Sequence, residues 1–404
     1  MADIGGTCDP RFQRVYDTLA NCIDAGKEVG ASLYVNIDGT EVVDLWGGWR
    51  DTEHSGPWTE HTIVNVFSGS KTVTSLAVLM LVDRGQIDLY APVARYWPEF
   101  AQNGKDKVEV RHLLGHTAGL PAWEPPFSLD DAMDVEASTA RLAKQAPWWE
   151  PGTRGSYHAS TFGHLNSELV RRVAGTSLSD FIAREIAGPL DADFYLGLTD
   201  AQMGRVATVY PAEDENRGSK PKAAPLPNDE LAVERTLSAR TRLGSFSGAK
   251  RDPLALFNSP AWRRTEFGGS SGHGNARALG RIMSTLSLGG TSRGVRLLSP
   301  QTVELIFREQ ANGIDAYYMK PIRWGIGYAL ASEESNARGP LPFLRPGKKT
   351  CFWYGTGGSL AIADLERRIS IGYAMNQCQS GKGSLNGVYY NAIYECLLDA
   401  GERL

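Results

Sequence analysis

The chain has 404 residues, 42% of them apolar and 22% charged, with a formal net charge of −4. This composition excludes a disordered or fibrous chain and is enough for two or three domains with a sizeable core. With no excess of basic residues, nucleic acid and anionic membrane surfaces are not expected partners.

The opening stretch MADIGGTCDPRF has no basic-then-apolar leader pattern, and no apolar run approaches the roughly 18 to 20 residues of a membrane span, so a cytoplasmic protein is expected. Asp9-Pro10 reads as a helix cap with a first-turn proline, and Phe12, Val15, Tyr16, Leu19 and Ile23 give the helix an apolar stripe ending near Gly26. Two strands follow. Leu33, Val35 and Ile37 alternate with polar neighbours, Asp38-Gly39 is a favoured hairpin turn, and EVVDLWGGW returns.

The next element, FSGSKTVTSLAVLMLVDRG from residue 67, has apolar residues at Val73, Leu76, Ala77, Met80 and Leu81, the spacing of an amphipathic helix that stops at Gly85. Ser68 and Lys71 stand one turn apart on that helix, which sets a nitrogen base beside a hydroxyl. Ser-x-x-Lys alone also suits a helix cap followed by a surface lysine. Further on, EPGTRGSYHAS leads into a helix marked by Phe162, Leu165, Leu169, Val170 and Val173. Tyr157 at that junction is placed to project a phenol into a cleft. Its neighbour His158 is a second candidate, although adjacent side chains point in different directions. Trp123, Trp148, Trp149 and Trp353 are candidates for lining an apolar pocket, with core packing as the alternative.

The stretch 212–233, rich in Pro, Lys, Asp and Glu, reads as an exposed loop. Gly268 to Gly272 matches G-x-S-x-G, which would make Ser270 a nucleophile. The charged residues before it are not strand-like, so it reads as a flexible loop entering a helix capped near Asn275. Near the end, SLAIAD and RISIGYAMN form a hairpin, and Val388, Ala392, Ile393, Cys396 and Leu397 mark one face of a last helix. Between these, CFWYGTGGS places Gly355, Gly357 and Gly358 at a strand edge, where main-chain N–H groups can approach a ligand. Five cysteines without metal-type spacing are expected to be free, mostly buried thiols, and seven histidines in no ligand pattern give no reason to expect a metal or other cofactor.

Strands at both ends with helices between them imply an α+β fold: an antiparallel sheet flanked by N- and C-terminal helices, with a mainly helical domain inserted. The expected division is a discontinuous sheet domain of 1–72 and 295–404 and a helical domain of 73–294, with the active site between them.

Taken together, Ser68-x-x-Lys71 opening a long helix, VRHLLGHTAGLP, WEPGTRGSYHASTFGHLNSELV and a late WYGTGGS resemble the serine β-lactamase-like family, from about Gly30 to Asn376. Within that family the chain is most similar to family VIII carboxylesterases, relatives of class C β-lactamases and penicillin-binding proteins. The resemblance implies Ser68 as acylated nucleophile, Lys71 as the lysine sharing its proton, and Tyr157 as general base and acid; the mechanism expected here has Tyr157 held as a partial phenolate by Lys71. It also implies an oxyanion hole from the backbone N–H of Ser68 and Thr356. Trp353, Tyr354 and Gly355 stand where β-lactamases carry Lys-Thr-Gly, and with His158 and Trp123 they complete the expected substrate-binding set. Ala159 replaces the asparagine many lactamases carry two residues after the tyrosine, and Trp353 replaces the lysine that meets a lactam carboxylate. Both departures favour a small-molecule partner that is a neutral, hydrophobic ester, hence a serine carboxylesterase. The alternatives are an acyltransferase using an alcohol acceptor, a β-lactamase or D-amino-acid peptidase, and a binding protein that has lost catalysis.

Overall fold

A computed structural model describes residues 2–211, 253–345, 348–379, 384–399 and 401. The expected loop at 212–233 lies outside the described residues. Among them, nine strands form one antiparallel sheet. They are β1 (Ile4–Cys8), β2 (Gly30–Ile37), β3 (Thr40–Gly48), β4 (Ala311–Asp315), β5 (Lys320–Trp324), β6 (Ala329–Leu330), β7 (Thr350–Tyr354), β8 (Leu360–Asp364) and β9 (Ile369–Met375). Their spatial order is β1-β3-β2-β9-β8-β7-β6-β5-β4. The two ends of the chain are thus zipped together at the centre, with Val35 opposite Ile371 and Leu33 opposite Tyr373.

The hairpin β2–β3 turns where expected, because Asp38 and Gly39 both have positive φ, 47° and 87°, as a tight turn matched to strand twist requires. Helix α1 (Gln13–Asp24) follows a short 3₁₀ turn whose Arg11 N–H is accepted by the Asp9 carboxylate at 2.9 Å. It packs with the C-terminal helix, Asn386–Asp399, against one face of the sheet. In that last helix Ala392, Ile393, Cys396 and Leu397 are buried as expected, Val388 is exposed, and Tyr389, Tyr390 and Tyr394 widen the buried face. The three tyrosines can be buried because their phenols find partners inside: Tyr389 on Glu28, Tyr394 on Asp364, and Tyr390 Oη accepting the Arg345 N–H.

The other face of the sheet is covered by the helix Ala276–Ser287, capped by Asn275 as expected and lying within the stretch 73–294. It approaches closely because Gly280 has no side chain; a Cβ there would sit 2.0 Å from the Tyr34 ring. Further out lies the helix Ser70–Asp83, which is not amphipathic: every residue from Ser70 to Leu81 is buried. Its polar side is satisfied by protein instead of water. Thr74 donates to Gly268 O at 2.6 Å, and Ser75 to Lys71 O and Gly327 O at 2.7 and 2.8 Å. A helix with both sides buried becomes a central post. No described helix is long and apolar enough to cross a membrane.

Behind the sheet, Glu28 is wholly buried and takes hydrogen bonds from the phenols of Tyr373 and Tyr389. Burial pushes its carboxyl up from 4.5 to about 8, against the opposing pull of those two phenols. The folded state therefore holds this proton more tightly than the unfolded one, so the contribution to stability is complete below pH 4.5 and is lost as pH rises to about 8. Glu28→Gln keeps the acceptor and removes the titration. Thermal melts of wild type and variant should nearly coincide at pH 4 and separate in the variant's favour at pH 8.5, by roughly 1.4 kcal/mol per unit of displacement; parallel curves would refute this.

Candidate active site

Ser68 does not lie in the long helix but in the 3₁₀ turn Phe67–Gly69 that precedes it. Phe67 has φ of 47°, a left-handed conformation that a bulky residue adopts only under constraint. The constraint is local: Asn65 Oδ1 accepts the Phe67 N–H at 2.7 Å, and Ser70 Oγ donates to Phe67 O. This sharp turn leaves Ser68 half-buried at the amino end of the helix, whose dipole favours developing negative charge there.

One turn on, Lys71 is 2% exposed. Its Nζ stands 3.2 Å from Ser68 Oγ, 2.9 Å from Ala159 O and 2.7 Å from Gly269 O. Burial drives its amine well below the ordinary lysine range. Tyr157, 3% exposed, donates from Oη to Ser68 Oγ at 2.7 Å. Burial drives its phenol well above 10, opposed by the hydrogen bonds with Ser68 and Trp353. Both environments therefore favour the uncharged forms, an amine and a phenol.

Trp353 was expected to offer an apolar face to a ligand. It is instead 2% exposed, and its Nε1–H donates to Tyr157 Oη at 3.0 Å. The indole ring packs among Tyr157, Trp324 and Tyr354, with centroids 4.8 to 5.1 Å apart. Tyr354, Tyr317 and Tyr318 remain partly open beside it. His158 points away from the hydroxyl: its Nε2 accepts from Leu120 N at 3.1 Å and its Nδ1 bonds Ser156 O at 2.6 Å, which fixes a neutral ring pushed down to about 4 by burial. Trp123 is buried among the helices, stacked on Phe127 at 4.2 Å and donating to Ser138 O at 3.0 Å. Neither His158 nor Trp123 presents a surface to a ligand, because each has its polar edge committed to main chain inside the core.

Thr356 is exposed at the end of β7, within a turn closed by Gly355 N to Ser359 O at 2.8 Å and Gly358 N to Gly355 O at 3.1 Å. Ser359 Oγ donates to Val66 O at 2.8 Å. This ties the turn carrying Thr356 to the segment carrying Ser68. Neither the Ser68 nor the Thr356 amide is hydrogen-bonded among the described residues, which leaves two N–H groups for a ligand oxygen.

The run Gly268–Gly272 is not the flexible loop expected from sequence. Gly269 O holds Lys71, and Gly272–Gly274 forms a strand paired with Val64–Asn65, three residues before Ser68. A helix, Pro260–Arg264, precedes the run in place of the strand that a nucleophile elbow needs. The glycines were visible in sequence, but a carbonyl acceptor has no residue signature. All five cysteines are free, four buried and Cys8 partly so.

A family model described as Beta-lactamase matches residues 17–392. The chain is 31% identical to Esterase/beta-lactamase LipL of Mycobacterium tuberculosis (strain ATCC 25618 / H37Rv), over 98% of this chain and 89% of that protein. Its fold is similar to that of a family VIII carboxylesterase crystal structure, with a TM-score of 0.85 and 34% identity, covering 98% of this chain and all (100%) of the other. A penicillin-binding protein homolog from Caulobacter crescentus superposes with a TM-score of 0.80 at 33% identity, covering 98% and 100% of the two chains.

Gly355 is the point where the two segments touch: a Cβ there would lie 2.2 Å from Val66 O and 2.3 Å from Ser359 Oγ. Gly355→Ala must push the turn away from Ser68. Denaturant unfolding should read a loss of about 1 to 3 kcal/mol, together with slower labelling of Ser68 by a fluorophosphonate. Unchanged stability and labelling would show that the close approach is dispensable.

Proposed function

The chain belongs to the beta-lactamase family, and from that premise we propose that it is a serine hydrolase that cleaves neutral, hydrophobic carboxylic esters through an acyl-enzyme on Ser68. One observation carries the reading: Ser68 Oγ stands within hydrogen-bond reach of both the Tyr157 phenol, at 2.7 Å, and the Lys71 amine, at 3.2 Å.

The proton route follows from counting donors and acceptors. A neutral Lys71 has two N–H groups for the two carbonyls of Ala159 and Gly269, and its lone pair is then free for the Ser68 proton. Trp353 N–H donates to Tyr157 Oη, and Tyr157 O–H donates to Ser68 Oγ. Every group in the chain has a partner without any charge. This reading differs from the role expected for Lys71, which was to hold Tyr157 as a phenolate; burial pushes both groups toward their uncharged forms, which disfavours that ion pair.

Ser68 Oγ attacks the ester carbonyl as its proton passes to Lys71 Nζ, and the carbonyl oxygen settles on the N–H groups of Ser68 and Thr356. The C–O bond to the alcohol then breaks, and the leaving oxygen takes the Tyr157 proton. Water next attacks the acyl carbon and gives a proton to the Tyr157 oxygen. Ser68 leaves as alkoxide and recovers its proton from Lys71. A well-placed general base contributes about 10²- to 10⁴-fold, and an oxyanion donor roughly 2.7 to 4 kcal/mol.

The preference for a neutral ester is supported by Trp353 at the place where related lactamases hold a lysine, and by the partly open tyrosines Tyr317, Tyr318 and Tyr354 beside it. A short-chain nitrophenyl ester should give an intact-mass adduct that is absent in Ser68→Ala. Lys71→Met and Tyr157→Phe should each lower kcat/KM by about 10²- to 10⁴-fold. A chromogenic cephalosporin turned over rapidly with no ester cleavage would replace esterase by lactamase.

The pH profile tests the route itself. The active form has Lys71 deprotonated, so kcat/KM is lost as pH falls through its depressed pKa. It stays level on the alkaline side to at least pH 10, because the phenol titrates above that value. A rate that climbs steadily up to pH 10 would favour the phenolate as base.

A further inference from the structure

Asp315 ends β4 and is 1% exposed, with no contact of its own to the Ser68 hydroxyl among the hydrogen bonds of the described residues. Its two oxygens face different parts of the chain. Oδ1 accepts the backbone N–H of Tyr317 at 2.9 Å and of Tyr318 at 3.0 Å, which closes the turn between β4 and β5. Oδ2 accepts the backbone N–H of Tyr157 at 2.8 Å and the Trp324 indole N–H at 3.0 Å. Removing a carboxylate from water is costly unless its lone pairs are filled, and here four N–H groups fill them. A turn alone needs only the first oxygen. The second reaches a residue 158 positions away in sequence.

The groups so joined all surround one phenol. The Trp324 ring lies parallel to Tyr157, with centroids 5.9 Å apart. The rings of Tyr317 and Tyr318 flank it at 5.3 and 5.4 Å. We propose that Asp315 is a positioning residue: it locks the backbone of Tyr157 to the β4–β5 turn and thereby sets the Tyr157 Oη–Ser68 Oγ contact on which the ester chemistry proposed above rests. Only a carboxylate serves. Asparagine would have to turn its NH₂ toward one of the two donor pairs, leaving an N–H against an N–H. Since the phenol is carried on a stiff side chain, a shift of its backbone passes directly to Oη, and a misplacement near 1 Å costs about 10²-fold in rate.

The test is a double-mutant cycle read with a nitrophenyl ester. Asp315→Asn should lower kcat about 10- to 100-fold while KM stays within about threefold. In the Tyr157→Phe background the same change should cost less than about threefold, because the group it positions is already gone. Equal losses in both backgrounds, or an unchanged kcat in the single variant, would overturn the assignment. If Asp315→Asn does not fold, Trp324→Phe removes one Oδ2 donor and keeps an aromatic ring; it should give the same non-additive pattern at smaller amplitude, and additive losses there would overturn the assignment equally. A wild-type protein that forms no Ser68 adduct overturns the proposed function and this assignment together, whereas a reactive wild type with additive losses overturns this assignment alone.

Discussion

A lysine amine sealed from water is the constraint around which the structure is organised. An ammonium in that position would carry a desolvation cost of several kcal/mol, so the group is held in a form that needs few partners, and those partners must be supplied with care. Ala159 O and Gly269 O supply them from segments 88 and 198 residues away in sequence. Neither segment can drift without leaving a buried N–H unmatched. The helix that carries Lys71 must therefore be buried on every side, which explains why its serines and threonines bond to carbonyls of neighbouring loops.

The same economy shapes the turn beside it. Phe67 is held in an unfavourable backbone conformation, and Gly355 lies so close to Val66 O that no side chain fits between them, so one strained residue and one tight approach meet near Ser68. Strain of this kind persists only where the surroundings over-determine it. Here they do. Asn65 fixes one side, Ser359 the other, and the short strand Gly272–Gly274 lies alongside.

The frame of the fold was largely legible in sequence because its signals are local. Asp38-Gly39 needs positive φ at two residues, and Ile369, Ile371, Tyr373 and Met375 need only alternate. Ser68, Lys71 and Tyr157 were legible too, since a hydroxyl, an amine and a phenol are residue types. What escaped was of another kind. Gly269 and Ala159 act through carbonyls that every residue possesses, and Asp315 sits in a hairpin whose strands alternate too weakly to be read. Val388 failed for the opposite reason: apolar spacing marked the buried face correctly at Ala392, Ile393, Cys396 and Leu397, but tyrosines with buried partners, not Val388, fill its edge.

Trp353 joins these strands of reasoning, since its apolar face was readable and its N–H was not. A lysine at that place would set a full charge beside the Tyr157 oxygen and draw it toward the phenolate. An indole donates a hydrogen bond to the same oxygen while bringing no charge, which leaves the phenol without a neighbouring cation to draw off its proton. Lys71 can then remain an amine, because no phenolate calls for an ammonium to balance it. The replacement of one cation by one neutral donor thus bears first on the protonation of the trio, and the neutral ester proposed as substrate is in keeping with it.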